Sequence, residues 1–126
     1  MKKIFFAFCV SLLISCNMSD NIEKLPAGYE FIYEGGNQNR IYRYDKDNYS
    51  KFAIDSGVVD ARYNDNYLLI SVDTTYSMNP EKIDKKNLKY FIHNLKRDTI
   101  IKKISFKDLQ KLIKEDKTLE EINITK

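Results

Sequence analysis

The side chains that could react, ligate or shuttle protons are few in this chain. Its 126 residues include two cysteines, Cys9 and Cys16, and one histidine, His93. A single histidine without free cysteines does not make the nitrogen and sulfur sets that zinc favours. His93 shares a strand side with Phe91 and Leu95, which predicts a half-buried sheet histidine. No Gly-x-Ser-x-Gly turn exists to present a serine nucleophile. Gly35-Gly36 lacks the Lys-Ser/Thr that follows a phosphate-cradling loop. The carboxylates Asp55, Asp60, Asp65 and Asp73 surround the central strands. Asp60 and Asp65, with Asn64 and Asn66, could form an oxygen-rich calcium site, but their spacing does not fit the calcium-loop pattern. Asp and Asn hydrogen-bond their own backbone in tight turns, and that reading is preferred. A glycosidase pair needs a set separation between two carboxylates, which a sequence does not supply. The expectation is a non-enzymatic chain with no catalytic residue, resident metal or cofactor.

Tyrosine is the more suggestive residue type. Nine Tyr and seven Phe accompany no Trp, and Phe5, Phe6 and Phe8 belong to the apolar amino-terminal segment. Arg40, Tyr42 and Tyr44 alternate onto one strand face. Tyr and Arg are favoured at recognition surfaces, where a rigid ring carries a polar tip. Tyr is equally an ordinary sheet residue. The three are taken as a candidate interaction surface.

The amino terminus reads MKKIFFAFCVSLLISC. Lys2 and Lys3 precede an uncharged apolar run from Ile4 to Ile14, too short for the roughly twenty residues that span a bilayer as a helix. It suits the apolar region of a signal peptide. Leu13-Ile14-Ser15-Cys16 resembles the bacterial lipobox: an aliphatic residue, a small residue before the cut, and the cysteine that becomes the new first residue. The resemblance implies removal of residues 1–15, a diacylglyceryl thioether on Cys16 and acylation of the new amino terminus by the lipoprotein-processing machinery. Cys16 would then be unavailable for Cys-His catalysis. Cys9 lies mid-run after Phe8 and lacks the small residue. The location implied is the bacterial cell membrane, with attachment through lipid. Asn17 stands where Asp marks inner-membrane retention in enteric-type cells, so the outer membrane is favoured in a cell that has one.

Removing residues 1–15 leaves 111 residues. That is one domain, large enough to bury a core without disulfides. It also takes Lys2 and Lys3, leaving 19 basic against 18 acidic side chains from the full chain's 21 and 18. Such near-neutrality argues against nucleic acid, which needs a net basic face. Lysines from Lys82 to Lys114 interleave with acidic residues and are read as a solvated surface, with a docking patch for an acidic partner or lipid headgroups as the alternative.

Residues 16–25 are expected to be the lipidated cysteine and a flexible tether, and residues 26–126 a single α+β domain. Pro26-Ala27-Gly28 is a turn signal. Tyr29–Glu34 alternates with Tyr29, Phe31 and Tyr33 on one side, and Arg40–Asp45 follows as its hairpin partner. Phe52–Ile54 is a short strand, and Asp55-Ser56-Gly57 a turn or bulge. Val58–Tyr63 is a strand with Val59, Ala61 and Tyr63 on one side. Tyr67–Val72 is nearly continuous apolar sequence, predicting a central strand covered on both faces. An exposed connection follows, with a helical turn at Pro80. Lys89–Leu95 and Thr99–Ile104 are the closing strands. Ser105 is a predicted N-cap. Phe106, Leu109, Leu112 and Ile113 recur at helical spacing, with Leu119 and Ile122 beyond. Strands first and helix last predict a small antiparallel β-meander sheet with a C-terminal amphipathic helix packed on one face.

Gly28-Tyr29 to Gly36, Val58 to Ile70, Tyr90-Phe91-Ile92 and Ser105 to Leu112 together resemble an uncharacterised family of small bacterial lipoproteins. That resemblance implies a fold and no activity. The functional expectation is a non-catalytic, membrane-anchored envelope domain that binds or helps to assemble an unidentified protein partner. Alternatives are an inhibitor or immunity-type envelope protein, and a carbohydrate-binding or hydrolase accessory using Asp and Tyr side chains.

Overall fold

A computed structural model describes residues 21–44 and 50–126. The expected signal segment, Cys16, and all but Ser50 of the polar turn expected at Asp45–Ser50 lie outside the described residues; Ser50 begins a strand. The chain is α+β: the described residues form eight antiparallel strands, then two helices. The strands are β1 (Asn21–Lys24), β2 (Tyr29–Tyr33), β3 (Arg40–Tyr44), β4 (Ser50–Ile54), β5 (Val58–Tyr63), β6 (Tyr67–Val72), β7 (Lys89–Asn94) and β8 (Lys102–Ile104). The helices are α1 (Phe106–Glu115) and α2 (Lys117–Glu120).

The meander divides into two four-stranded sheets, β1-β2-β3-β4 and β5-β6-β7-β8, where one sheet was expected. The division follows from two apolar strand patterns needing a shared interior. Tyr29, Phe31 and Ile41 from the first sheet pack against Val58, Leu68, Ile70 and Val72 from the second. The chain crosses between sheets at Gly57, in the left-handed region at φ +82°. Its N–H donates to the Asn37 carbonyl at 2.9 Å, and its carbonyl accepts from Asp73 N–H at 2.7 Å, joining both sheets at one residue.

β6 is covered on both faces, as its sequence predicted. Leu68, Ile70 and Val72 enter the inter-sheet core, while Leu69 enters a second core with Leu88, Tyr90, Leu109 and Ile113. The helical layer therefore packs on the outer face of the second sheet. Ser105 caps α1: its Oγ accepts from Asp108 N–H at 3.1 Å. Leu109 and Ile113 are buried, whereas Leu112 lies at the edge of the stripe and is exposed. Leu119, Ile122 and Ile124 close that core.

Four elements differ from their sequence reading. Residues 21–25, expected within the tether, form an edge strand (Asn21 pairs with Tyr33) and a buried Leu25. Polar Asn and Glu at alternate positions hid it, since an edge strand has one face in water. A register shift between Val58 and Asp60 turns Val58 into the inter-sheet core and Val59 toward the helices. The last strand is only Lys102–Ile104. His93 is buried at 2% exposure rather than half-buried, because the first sheet covers the face it shares with Phe91. The turn at Pro80 exists as a short 3-10 segment, Pro80–Lys82. Among the described residues, no helix is long and apolar enough to cross a membrane.

Candidate functional site

Arg40, Tyr42 and Tyr44 come together on the outer face of the first sheet. Strand alternation sends Ile41 into the core, so Arg40, Tyr42 and Tyr44, of the opposite parity, point away from it. One Arg40 terminal nitrogen pairs with Glu34 Oε1 at 2.5 Å, and the other lies 3.5 Å from the Tyr42 hydroxyl. The guanidinium carbon sits 5.7 Å from the Tyr42 ring centre, within cation–π range. Tyr42 donates its hydroxyl hydrogen to Asp55 Oδ1 at 3.1 Å. Burial, and then the Asp55 carboxylate that accepts this bond, hold the Tyr42 hydroxyl above its ordinary pKa despite Arg40. It remains a neutral donor at neutral pH. The rings of Tyr42 and Tyr44 lie 6.0 Å apart, tilted by 34°. Arg40 Nε is buried and has no hydrogen-bond partner among the described residues. The surface is thus a held aromatic pair beside a cation already paired with Glu34.

Asp55 links this face to a cleft of about 360 Å³ at the open edge of the sandwich, lined among others by Asp55, Tyr76, Lys89, Phe91 and Lys103. Register explains the two lysines. Lys103 pairs directly with Phe91, and Lys89 lies two residues from Phe91 on the same strand side. Diagonal positions of this kind stand about 7–8 Å apart. Both lysines project from the inner face of the second sheet where the first no longer covers it. Neither is in an ion pair with a carboxylate among the described residues. Tyr76 was not singled out in the sequence, and Lys89 and Lys103 were read there only among the lysines of a solvated surface. Lys89 does alternate with Phe91, but the β7–β8 pairing that adds Lys103 is a long-range fact.

Of the four aspartates, Asp55 and Asp73 line this same cleft, while Asp60 and Asp65 lie elsewhere. Asp60 pairs with Arg62 Nε at 2.8 Å and accepts from Ala61 N–H. Asp65 is exposed in a turn organised by Asn64, whose Oδ1 accepts from Asn66 and Tyr67 N–H, both at 2.9 Å. Asp73 is buried at the other end of β6. Its carboxylate accepts from Thr75 N–H at 2.8 Å, Thr75 Oγ1 at 2.6 Å and Ser77 N–H at 3.0 Å. Among the described residues, no three His, Cys, Asp or Glu side chains are grouped to hold a metal. His93 has both ring nitrogens engaged, Nδ1 by the Tyr29 hydroxyl at 3.0 Å and Nε2 by the Asp98 carbonyl at 2.8 Å. It offers no free nitrogen to a substrate. What the described surface can do is hold and orient: stack on tyrosine rings, and neutralise anionic groups through Lys89 and Lys103.

Comparison with protein-family models, with curated proteins and with solved structures found no match.

Proposed function

We propose that this chain is a bacterial envelope lipoprotein, anchored through lipid on Cys16, whose folded part is a non-catalytic module for docking a protein partner. The lipobox-like Leu13-Ile14-Ser15-Cys16 supports the anchor. The observation that carries the docking role is the outer-face group: Arg40, Tyr42 and Tyr44 assembled side by side, cross-braced by Glu34 and Asp55, with the Tyr44 ring exposed. Bracing lowers the side-chain entropy lost when a partner covers the surface. Tyr and Arg are also the residue types that dominate binding energy at interfaces.

Site-specific crosslinking tests this reading. A photoreactive phenylalanine at position 44 of the lipidated protein is expected to capture one defined envelope protein. Arg40→Ala with Tyr42→Ala is expected to abolish the adduct while leaving the melting temperature nearly unchanged. The same crosslinking pattern with and without these substitutions would contradict it.

A further inference from the structure

β1 begins at Asn21, opposite Tyr33 at the far end of β2. Only residues 17–20 separate Cys16 from that strand, so the two α-carbons stand no more than about 18 Å apart even fully extended. Whatever holds Cys16 also holds this end of the sandwich. The exposed apolar side chains Ile22 and Tyr33 lie there. So does the loop after β6, which is docked against the β2–β3 hairpin. Asn37 Nδ2 donates to the Tyr76 carbonyl at 3.4 Å, and a methyl group placed on Gly36 would touch the Met78 carbonyl at 3.6 Å. Tyr76 and Met78 are the most exposed large apolar residues described, at 72% and 80%. Tyr76 sits at φ +57°, a left-handed conformation that side-chain-bearing residues rarely adopt. The buried Asp73 carboxylate secures this loop through Thr75 and Ser77. The loop is therefore built to present its tip rather than collapse onto the domain.

We propose that this end, through Tyr33, Tyr76, Met78 and Ile22, seats in the interfacial layer of the membrane to which Cys16 is anchored. The inference rests on the lipid-anchor reading. Tyrosine suits that layer because its ring enters the acyl boundary while its hydroxyl stays wet. Methionine and isoleucine supply apolar area beside it. Charge does not drive the contact. Glu34 is taken by Arg40, Asp55 and Asp73 line the cleft with Lys89 and Lys103, and Glu23 sits beside Tyr33, so seating on neutral lipid should persist in high salt. Ile22 pairs with Ile32 and Ile32 with Arg40, so seated this way Arg40 lies nearest the lipid, and the Tyr44 end of that face points away from it toward a partner.

The test uses the full chain, processed in bacteria and reconstituted into phosphatidylcholine vesicles. Two variants, Met78→Cys and Lys96→Cys, carry a fluorophore on the introduced thiol. Lys96 lies exposed in the turn after β7, at the opposite end. The label at 78 is expected to be quenched by lipid bearing a nitroxide near its headgroup and to be several-fold less accessible to aqueous iodide than the label at 96. Equal iodide quenching at both sites, with Cys16 shown by mass to be lipidated, overturns the seating and leaves the anchor standing. Protection at 78 without lipid-nitroxide quenching means that protein covers the tip, which also overturns it. An unmodified Cys16 removes the anchor and the seating together.

Discussion

The hydroxyl of Tyr29, on the first sheet, lies 3.0 Å from Nδ1 of His93, on the second. The rings meet edge to face, 5.7 Å apart at 80°. His93 Nε2 faces the Asp98 carbonyl at 2.8 Å, and a carbonyl only accepts, so Nε2 carries the hydrogen. Nδ1 then accepts, and Tyr29 is the donor. Both residues are buried, with the Arg43 guanidinium 5.0 Å over the Tyr29 ring, and the bond joins the two sheets. Tyr29→Phe keeps the ring and removes the donor, leaving Nδ1 buried without a partner. A loss of about 1–3 kcal/mol in urea unfolding is expected. No measurable loss would mean the nitrogen finds another donor.

Asp73 sets the acid response of the loop beside the cleft. Burial pushes its carboxyl up, but the hydrogen bonds from Thr75 and Ser77 outweigh that and hold it below the ordinary carboxylate value. A carboxylate whose folded pKa is depressed contributes stability above its unfolded pKa, about 3.9, and that contribution disappears as pH falls through the folded value. The urea midpoint should therefore drop on acidification below about pH 4. Asp73→Asn should be less stable at neutral pH and show a shallower acid decline. Parallel pH profiles for the two proteins would contradict this assignment.

Gly57 is the crossing point. A Cβ there would stand 2.3 Å from the Asp73 carbonyl oxygen, and the backbone is left-handed besides. The left-handed conformation alone costs a side-chain-bearing residue roughly 1–2 kcal/mol. Gly57→Ala is expected to lose at least about 2 kcal/mol, since the clash is with backbone that cannot rotate away. Thermal melts of wild type and variant would measure it.

Local patterns in the sequence predicted local structure well. The Tyr29–Tyr33 alternation, the apolar run of β6 and the Ser105 cap each carry their own signal within a few residues, and each element is present. The division into two sheets was not legible, because it depends on which apolar faces meet across the core. His93 was placed on the correct strand side, yet its burial needed knowledge of the covering sheet. The Arg40–Tyr42–Tyr44 face was readable from alternation alone. The cleft was not: Asp55, Tyr76, Lys89 and Lys103 come from four separated segments joined only by long-range pairing.

The envelope anchor and the membrane seating depend on Cys16 leading the mature chain and carrying lipid. Mass analysis of the amino-terminal peptide, from protein made in a bacterium with intact lipoprotein processing, measures this directly. The predicted result is a peptide that starts at residue 16 and is heavier by a diacylglyceryl group and an amide-linked acyl chain. A peptide that still starts at Met1, with both cysteines unmodified, would contradict it.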